Sequence, residues 1–259
     1  MGPAPQKSDF PPSLTLSIIP PPEGPARSTN ILLILHGLGD TISAFTSFAS
    51  ALRLPETTCI TLQAPTPLPF ELGGFHWGDD IIFDDNSPGG PPDADPGFSR
   101  ATRLLAQEVV LDVLVDKLGY SAREILIFGF AQGGSVALGA ALEIQRLRGE
   151  SRKDGGELGG VVAVGGVLPL SAIKEDGRKG KAGTPVLITG GQGAESAVKD
   201  AGVRRTKEEF QYVEVVRWAG KRGDGMPQNR DEMLPIMQFF ARRLRSRSGV
   251  PEGSVEIGR

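Results

Sequence analysis

The run Ile125-Leu-Ile-Phe-Gly129-Phe130-Ala131-Gln132-Gly133-Gly134 reads as a buried strand, a glycine-bracketed turn and the start of a helix. This is the plan of a Gly-x-Ser-x-Gly elbow, where a strained turn lifts a nucleophilic hydroxyl clear of the chain. Small residues are needed two before and two after the tip, and Gly129 and Gly133 supply them. The tip itself is Ala131, and a methyl group cannot attack a carbonyl carbon.

A second Gly-rich turn, His36-Gly37-Leu38-Gly39-Asp40, follows the apolar run Ile31 to Leu35. Further along stand Gln63-Ala64-Pro65, Gly74, Trp77-Gly-Asp79 and the ending Glu232-Met233-Leu234-Pro235. Together these stretches, over roughly Leu14 to Leu244, resemble the phospholipase/carboxylesterase family of the α/β-hydrolase superfamily. Its acyl-protein thioesterase-like members carry Gly-Phe-Ser-Gln-Gly-Gly where this chain has Gly-Phe-Ala-Gln-Gly-Gly.

The resemblance implies an oxyanion hole built from two backbone N–H groups, those of Leu38 and Gln132. Backbone donors survive a side-chain change, so the anion-binding half of the site is expected to outlast the nucleophile. The family's triad acid lies in an Asp-x-x-Val turn, and the matching stretch here is Glu195-Ser196-Ala197-Val198. Glu195 reads either as a substitute acid or as a solvated glutamate favoured at a helix start. Counting back from Glu232-Met233 puts Met226 where the family has its histidine, and methionine cannot take a proton from a hydroxyl.

The chain has two histidines, neither near Met226. His36 precedes the oxyanion turn, and in the family it is structural. His76, beside Trp77 in the long segment Gln63 to Gly97, is the one stand-in base, and the alternative is that it bonds loop backbone or faces solvent. Ser135, one helical turn beyond Ala131, and Cys59, in mid-strand, are expected to be packed and inert. Leu38, Gln132, His76 and Trp77 are therefore the expected ligand-binding residues, and Ala131, Glu195 and Met226 the vestigial triad positions.

A single engineered Ser-to-Ala change would account for Ala131 but not for Met226, so two losses point to natural degeneration. Losing the serine of such a triad costs ~10⁶ in turnover, about 8–9 kcal/mol. What the oxyanion hole and binding leave is roughly 10³–10⁴ over water, too little for metabolism.

Other motifs fall away quickly. Gly37-Leu-Gly39 opens like a dinucleotide fingerprint, but Ile42 stands where the third glycine belongs. The glycines from Gly190 to Gly193 lack a phosphate-loop ending. No spacing calls for a metal or cofactor, and Asp84-Asp85 with Asp93 to Asp95 read as a solvated acidic loop. Arg242-Arg243-x-Arg245-x-Arg247 reads as favourable charge at a helix C-terminus.

The elements that must hold these turns alternate between short β-branched runs and helical patterns. Strands are predicted at Leu14 to Ile19, Ile31 to Leu35, Thr57 to Leu62, Glu124 to Gly129, Val161 to Val167, Pro185 to Thr189 and Tyr212 to Trp218. Helices are predicted at Thr41 to Leu52, Ser99 to Leu118, Ala131 to Arg148, Ser196 to Phe210 and Asn229 to Arg245. The fold expected is α/β, an α/β-hydrolase fold with a mostly parallel central sheet and helices on both faces. Its crevice should lie at the carboxyl ends of the strands. The domain expected is 14–245, with a flexible N-terminal segment 1–13, a polar linker at 149–156 and a flexible tail 246–259.

Of 259 residues, 39% are hydrophobic and 23% charged, with a net charge of −3, which gives nucleic acid or an anionic membrane no handle. One cysteine allows no internal disulfide. Met1 to Phe10 holds no signal-peptide run, Pro3 and Gln6 disfavour myristoylation, and no apolar stretch approaches the ~20 residues of a transmembrane helix. A cytoplasmic address is the expectation. The function expected is a non-catalytic pseudo-hydrolase binding a small acyl or carboxylate ligand, a protein partner or a second copy of itself. The alternative is an active ester or thioester hydrolase with an atypical site, and a third is a purely structural interaction module.

Overall fold

The computed structural model describes residues 2–22, 28–70, 72–80, 95, 97–148, 156–173 and 180–246. Most of the acidic loop at 84–96, the linker at 149–155 and the tail beyond 246 lie outside them.

The strands are β1 (Leu16–Ile19), β2 (Asn30–Leu35), β3 (Thr57–Leu62), β4 (Thr66–Pro67), β5 (Phe75–His76), β6 (Ile125–Phe130), β7 (Gly160–Val164), β8 (Val186–Gly190) and β9 (Val213–Arg217). Seven form one sheet in the order β1-β3-β2-β6-β7-β8-β9. Only β1 runs antiparallel, pairing Leu16 with Leu62 and Ile19 with Cys59; the other neighbours are parallel. β4 and β5 form a small separate hairpin.

Every residue of β2, β3 and β7 is buried, as continuous apolar runs in a sheet covered on both faces must be. Side chains alternate across the sheet, so Leu32 and Ile34 enter one apolar layer with Phe45 of α1 (Ile42–Leu52) and Phe239 and Phe240 of α5 (Arg230–Arg243). Ile31, Leu33 and Leu35 enter the other layer. There they meet α3 (Gln132–Arg148), α4 (Asp200–Glu209) and the long helix that starts as α2 (Ser99–Arg103).

That long helix departs from the expected pattern. From Leu104 to Lys117 it is wound more widely, and the Leu118 N–H reaches the Val113 carbonyl five residues back at 2.9 Å. A winding of 3.6 residues per turn would put Leu104, Leu105, Glu108, Leu111 and Val115 on or near one stripe. The wider winding instead buries Leu105, Ala106, Val109, Val110, Leu111, Val113, Leu114 and Val115, leaving Leu104 and Glu108 half-buried.

Part of that burial comes from the N-terminal segment. Phe10 is 5% exposed and joins the core. The Tyr120 hydroxyl donates to the Pro3 carbonyl at 3.0 Å, and Lys117 donates to the Asp9 carbonyl at 3.0 Å. At Gly2 a Cβ would lie 2.4 Å from the Leu118 carbonyl oxygen. Residues 2–13 thus lie along the body, although their Pro-rich composition predicts a loose arm. The helix predicted from Ser196 begins at Asp200, because the Ser196 hydroxyl and the Ala197 N–H are engaged by the Asp224 carboxylate.

Candidate functional site

The chain turns at the carboxyl ends of β2 and β6, neighbours in the sheet, and the two turns interlock. Ala131 has φ +49, the left-handed conformation an elbow tip requires and a residue with a Cβ adopts only at a cost. Its neighbours explain how the turn closes. A Cβ at Gly129 would fall 2.3 Å from the Gly133 carbonyl oxygen, and one at Gly133 would fall 2.5 Å from that of His36. These contacts are backbone to backbone, so glycine is required at both positions. Ser135 lies one turn into α3, its N–H bonded to the Ala131 carbonyl at 3.2 Å.

His36 is fully buried with both ring nitrogens engaged. Nε2 accepts the Ala64 N–H at 3.0 Å, which leaves the hydrogen on Nδ1 to donate to the Gly37 carbonyl at 2.7 Å. Burial holds its pKa below the usual histidine value, against the opposing pull of the Gly37 carbonyl and Asp40. Trp77 ties the two turns together: its indole N–H donates to the His36 carbonyl at 2.9 Å, and its backbone N–H donates to Gln132 Oε1 at 3.1 Å. At 2% exposure the Trp77 ring is a wall of the site and no open contact surface.

In the Leu38 turn, Gly39 N–H bonds Phe75 at 2.9 Å and Asp40 N–H bonds Gly37 at 3.3 Å. The Leu38 N–H has no partner among the described residues, and the Leu38 side chain is 54% exposed. Gln132 is the first residue of α3, so its N–H is one that a helix cannot satisfy internally. Two free donors therefore stand at adjacent strand ends, one on each side of the clamp made by Trp77.

The other two turns follow β8 and β9, and here a carboxylate not singled out from sequence takes the centre. Asp224 Oδ1 accepts from the Gly191 N–H and the Ser196 hydroxyl, each at 2.9 Å, and Oδ2 accepts from the Ala197 N–H at 2.6 Å. A Cβ at Gly165 would lie 2.6 Å from Asp224 Cβ, and one at Gly190 would lie 2.5 Å from Oδ1. Asp224 fits because the ends of β7 and β8 are glycines. Glu195, the residue at the acid position by counting, is exposed. The available sequence signal for Asp224 was an acid flanked by Gly223 and Gly225.

Met226 is half-buried and packs on the apolar layer of α1 and α5. Its carbonyl accepts from Lys221 Nζ at 3.0 Å. The same ammonium bonds Glu232 at 2.8 Å and lies 4.5 Å from the centre of the Trp218 ring. Lys221 lowers the Glu232 pKa, chiefly by that hydrogen bond.

His76, on β5 opposite Thr66, is 2% exposed, and neither ring nitrogen has a hydrogen-bond partner among the described residues. Burial and then the Arg100 guanidinium lower its pKa. Cys59 is buried in β3, and desolvation pushes its thiol up to about 12, so it is not a nucleophile near neutrality. Among the described residues no group of three or more His, Cys, Asp or Glu side chains could hold a metal. No described helix is long and apolar enough to cross a membrane.

The sheet order and the elbow after β6 define an α/β-hydrolase fold. The model of the phospholipase/carboxylesterase family matches residues 16–235, and the chain belongs to that family. Acyl-protein thioesterase 2 of Zea mays superposes with a TM-score of 0.64 at 18% identity, over 89% of this chain and 99% of that one. A phospholipase/carboxylesterase of Dyadobacter fermentans superposes with a TM-score of 0.58 at 21% identity, over 87% and 95%. Among curated relatives, an uncharacterised hydrolase of Schizosaccharomyces pombe is 31% identical over 153 residues, 58% of each chain. One of Mycosarcoma maydis is 36% identical over 129 residues, 45% of this chain and 43% of its own. This chain thus matches about half the length of these curated relatives.

Proposed function

We propose that the chain is a non-catalytic member of its family, a pseudo-hydrolase whose cleft binds a small acyl or carboxylate ligand. The observation that carries this reading is the pairing at the elbow. Ala131 keeps the left-handed tip without a hydroxyl, while the Leu38 and Gln132 N–H groups face no internal partner. Met226 at the base position and the bonded Asp224 loop support it, because methionine offers no imidazole and the Asp224 carboxylate is taken up by the Gly191, Ser196 and Ala197 donors. Glu195 and Met226 are vestigial in this reading, and a protein partner or second copy would dock over the same cleft. The lone buried thiol suits a reducing, cytoplasmic setting, and 14–245 is taken as one domain.

A second reading has one observation in its favour. The buried imidazole of His76 has both nitrogens free, as a displaced base in an active ester or thioester hydrolase would.

The test is to offer p-nitrophenyl butyrate and octanoate, with a fluorophosphonate probe, to the purified chain, and to titrate octanoate calorimetrically. The expected result is hydrolysis at the buffer rate, no labelling, and measurable binding of octanoate. Turnover that co-purifies with the chain and is lost in His76→Ala would establish the second reading instead.

A further inference from the structure

At the opposite end of the sheet, below the amino ends of β6 to β9, lies a cavity of about 480 Å³. Its charged lining comprises Arg123, Arg242, Arg243, Arg245 and one acid, Glu157. The arginines come from two separate places. Arg123 leads into β6, whereas Arg242 and Arg243 close α5 and Arg245 follows it; compensation of the helix dipole accounts for the sign of the last-turn pair but not for the convergence with Arg123.

The acids beside them are already committed. Glu157 pairs with Arg123, and both oxygens of Glu214 accept from Arg242, at 2.9 and 2.7 Å. Arg243 stacks over Phe239 at 5.8 Å, and its Nε is buried with no acceptor among the described residues. A buried guanidinium N–H without an acceptor is unfavourable until an anion reaches it. Tyr212, 54% exposed, forms part of the wall.

We propose that this cavity binds a phosphorylated small molecule at a site separate from the cleft, its phosphate received by Arg243 and by Arg123, which would exchange Glu157 for it. Guanidinium forks match phosphate oxygens in pairs, and the volume lies within the ~300–1,000 Å³ of ordinary small-molecule sites. The inference does not depend on the pseudo-hydrolase reading, since no residue is shared with the elbow.

The experiment is calorimetric titration of the full chain with ADP and, separately, with adenosine, which lacks the phosphates. ADP is expected to bind and adenosine not. Arg123→Glu and Arg243→Gln should each weaken ADP about tenfold or more, the loss of one or two charge-assisted bonds. Arg204→Glu, an equal charge change on the exposed face of α4, should leave binding within twofold. Circular dichroism confirms that each variant is folded, and Arg243→Lys, retaining the charge over Phe239, should keep part of the affinity. Saturating octanoate should not displace ADP. Failure of ADP to bind, equal weakening by Arg204→Glu, or displacement by octanoate would each overturn the proposal, the last by placing the phosphate in the cleft.

Discussion

The Ala197 N–H donates to Asp224 Oδ2 at 2.6 Å, and this bond joins the loop after β8 to the loop after β9. In the family pattern the acid comes from the first of these loops and serves a histidine in the second. Here the carboxylate comes from the second loop and is served by backbone and hydroxyl donors of the first. The two loops are held together by these bonds to Asp224.

Asp224→Asn tests that account. Three donors converge on the carboxylate, and an amide would turn one oxygen into a donor facing other donors. Bonds to a charged acceptor carry ~1.5–3 kcal/mol, so a loss of about 2–3 kcal/mol is expected in urea unfolding. A change below about 0.5 kcal/mol would mean that the loops are held by something else.

Ala131→Gly should stabilise the chain, contrary to the usual sign of an alanine-to-glycine change. The left-handed tip costs a residue with a Cβ roughly 1–2 kcal/mol, while glycine's extra freedom in the unfolded chain returns part of that. A net gain of about 0.5 kcal/mol is expected from thermal unfolding. Ala131→Val, β-branched at the same φ, should lose about 2 kcal/mol.

Restoring the hydroxyl alone should restore nothing. Triad residues act as a unit, and Ala131→Ser would place a serine with no imidazole partner at position 226. Its fluorophosphonate labelling and ester turnover are expected to stay within about tenfold of the unmodified chain. Rapid labelling of the single variant would show that a base reaches the elbow, with His76 the first residue to replace.

His76 gives a dependence on pH. Its folded pKa is held below the free value of about 6.5 by burial and then Arg100. Between the folded value and about 6.5 the unfolded chain binds more protons, so stability falls as pH is lowered through that window. Above it both states are neutral and the contribution is constant. His36 acts in the same direction. His76→Met removes two orphaned nitrogens, so stability near pH 7.5 should rise by about 1 kcal/mol. The fall in urea midpoint down to about pH 5.5 should become shallower, leaving the part due to His36.

Much of this was legible in the chain. The apolar runs of β2 and β3 and the glycines bracketing Ala131 dictate local structure through contacts within a few residues. Sequence alone fixes that residue 131 carries no hydroxyl and that no histidine lies near residue 226. What it left open depends on segments far apart in the chain. Glu195 and Asp224 are both acids in Gly-rich loops, and only the meeting of the loops after β8 and β9 decides which one is seated. That seat exists because Gly165 and Gly190 leave room for it. The burial of His76, the wide turns after Leu104 and the lie of residues 2–13 were likewise settled by packing. Periodicity reports which side of a segment is apolar, whereas only the assembled neighbours determine how much space and how many hydrogen-bond partners a side chain receives.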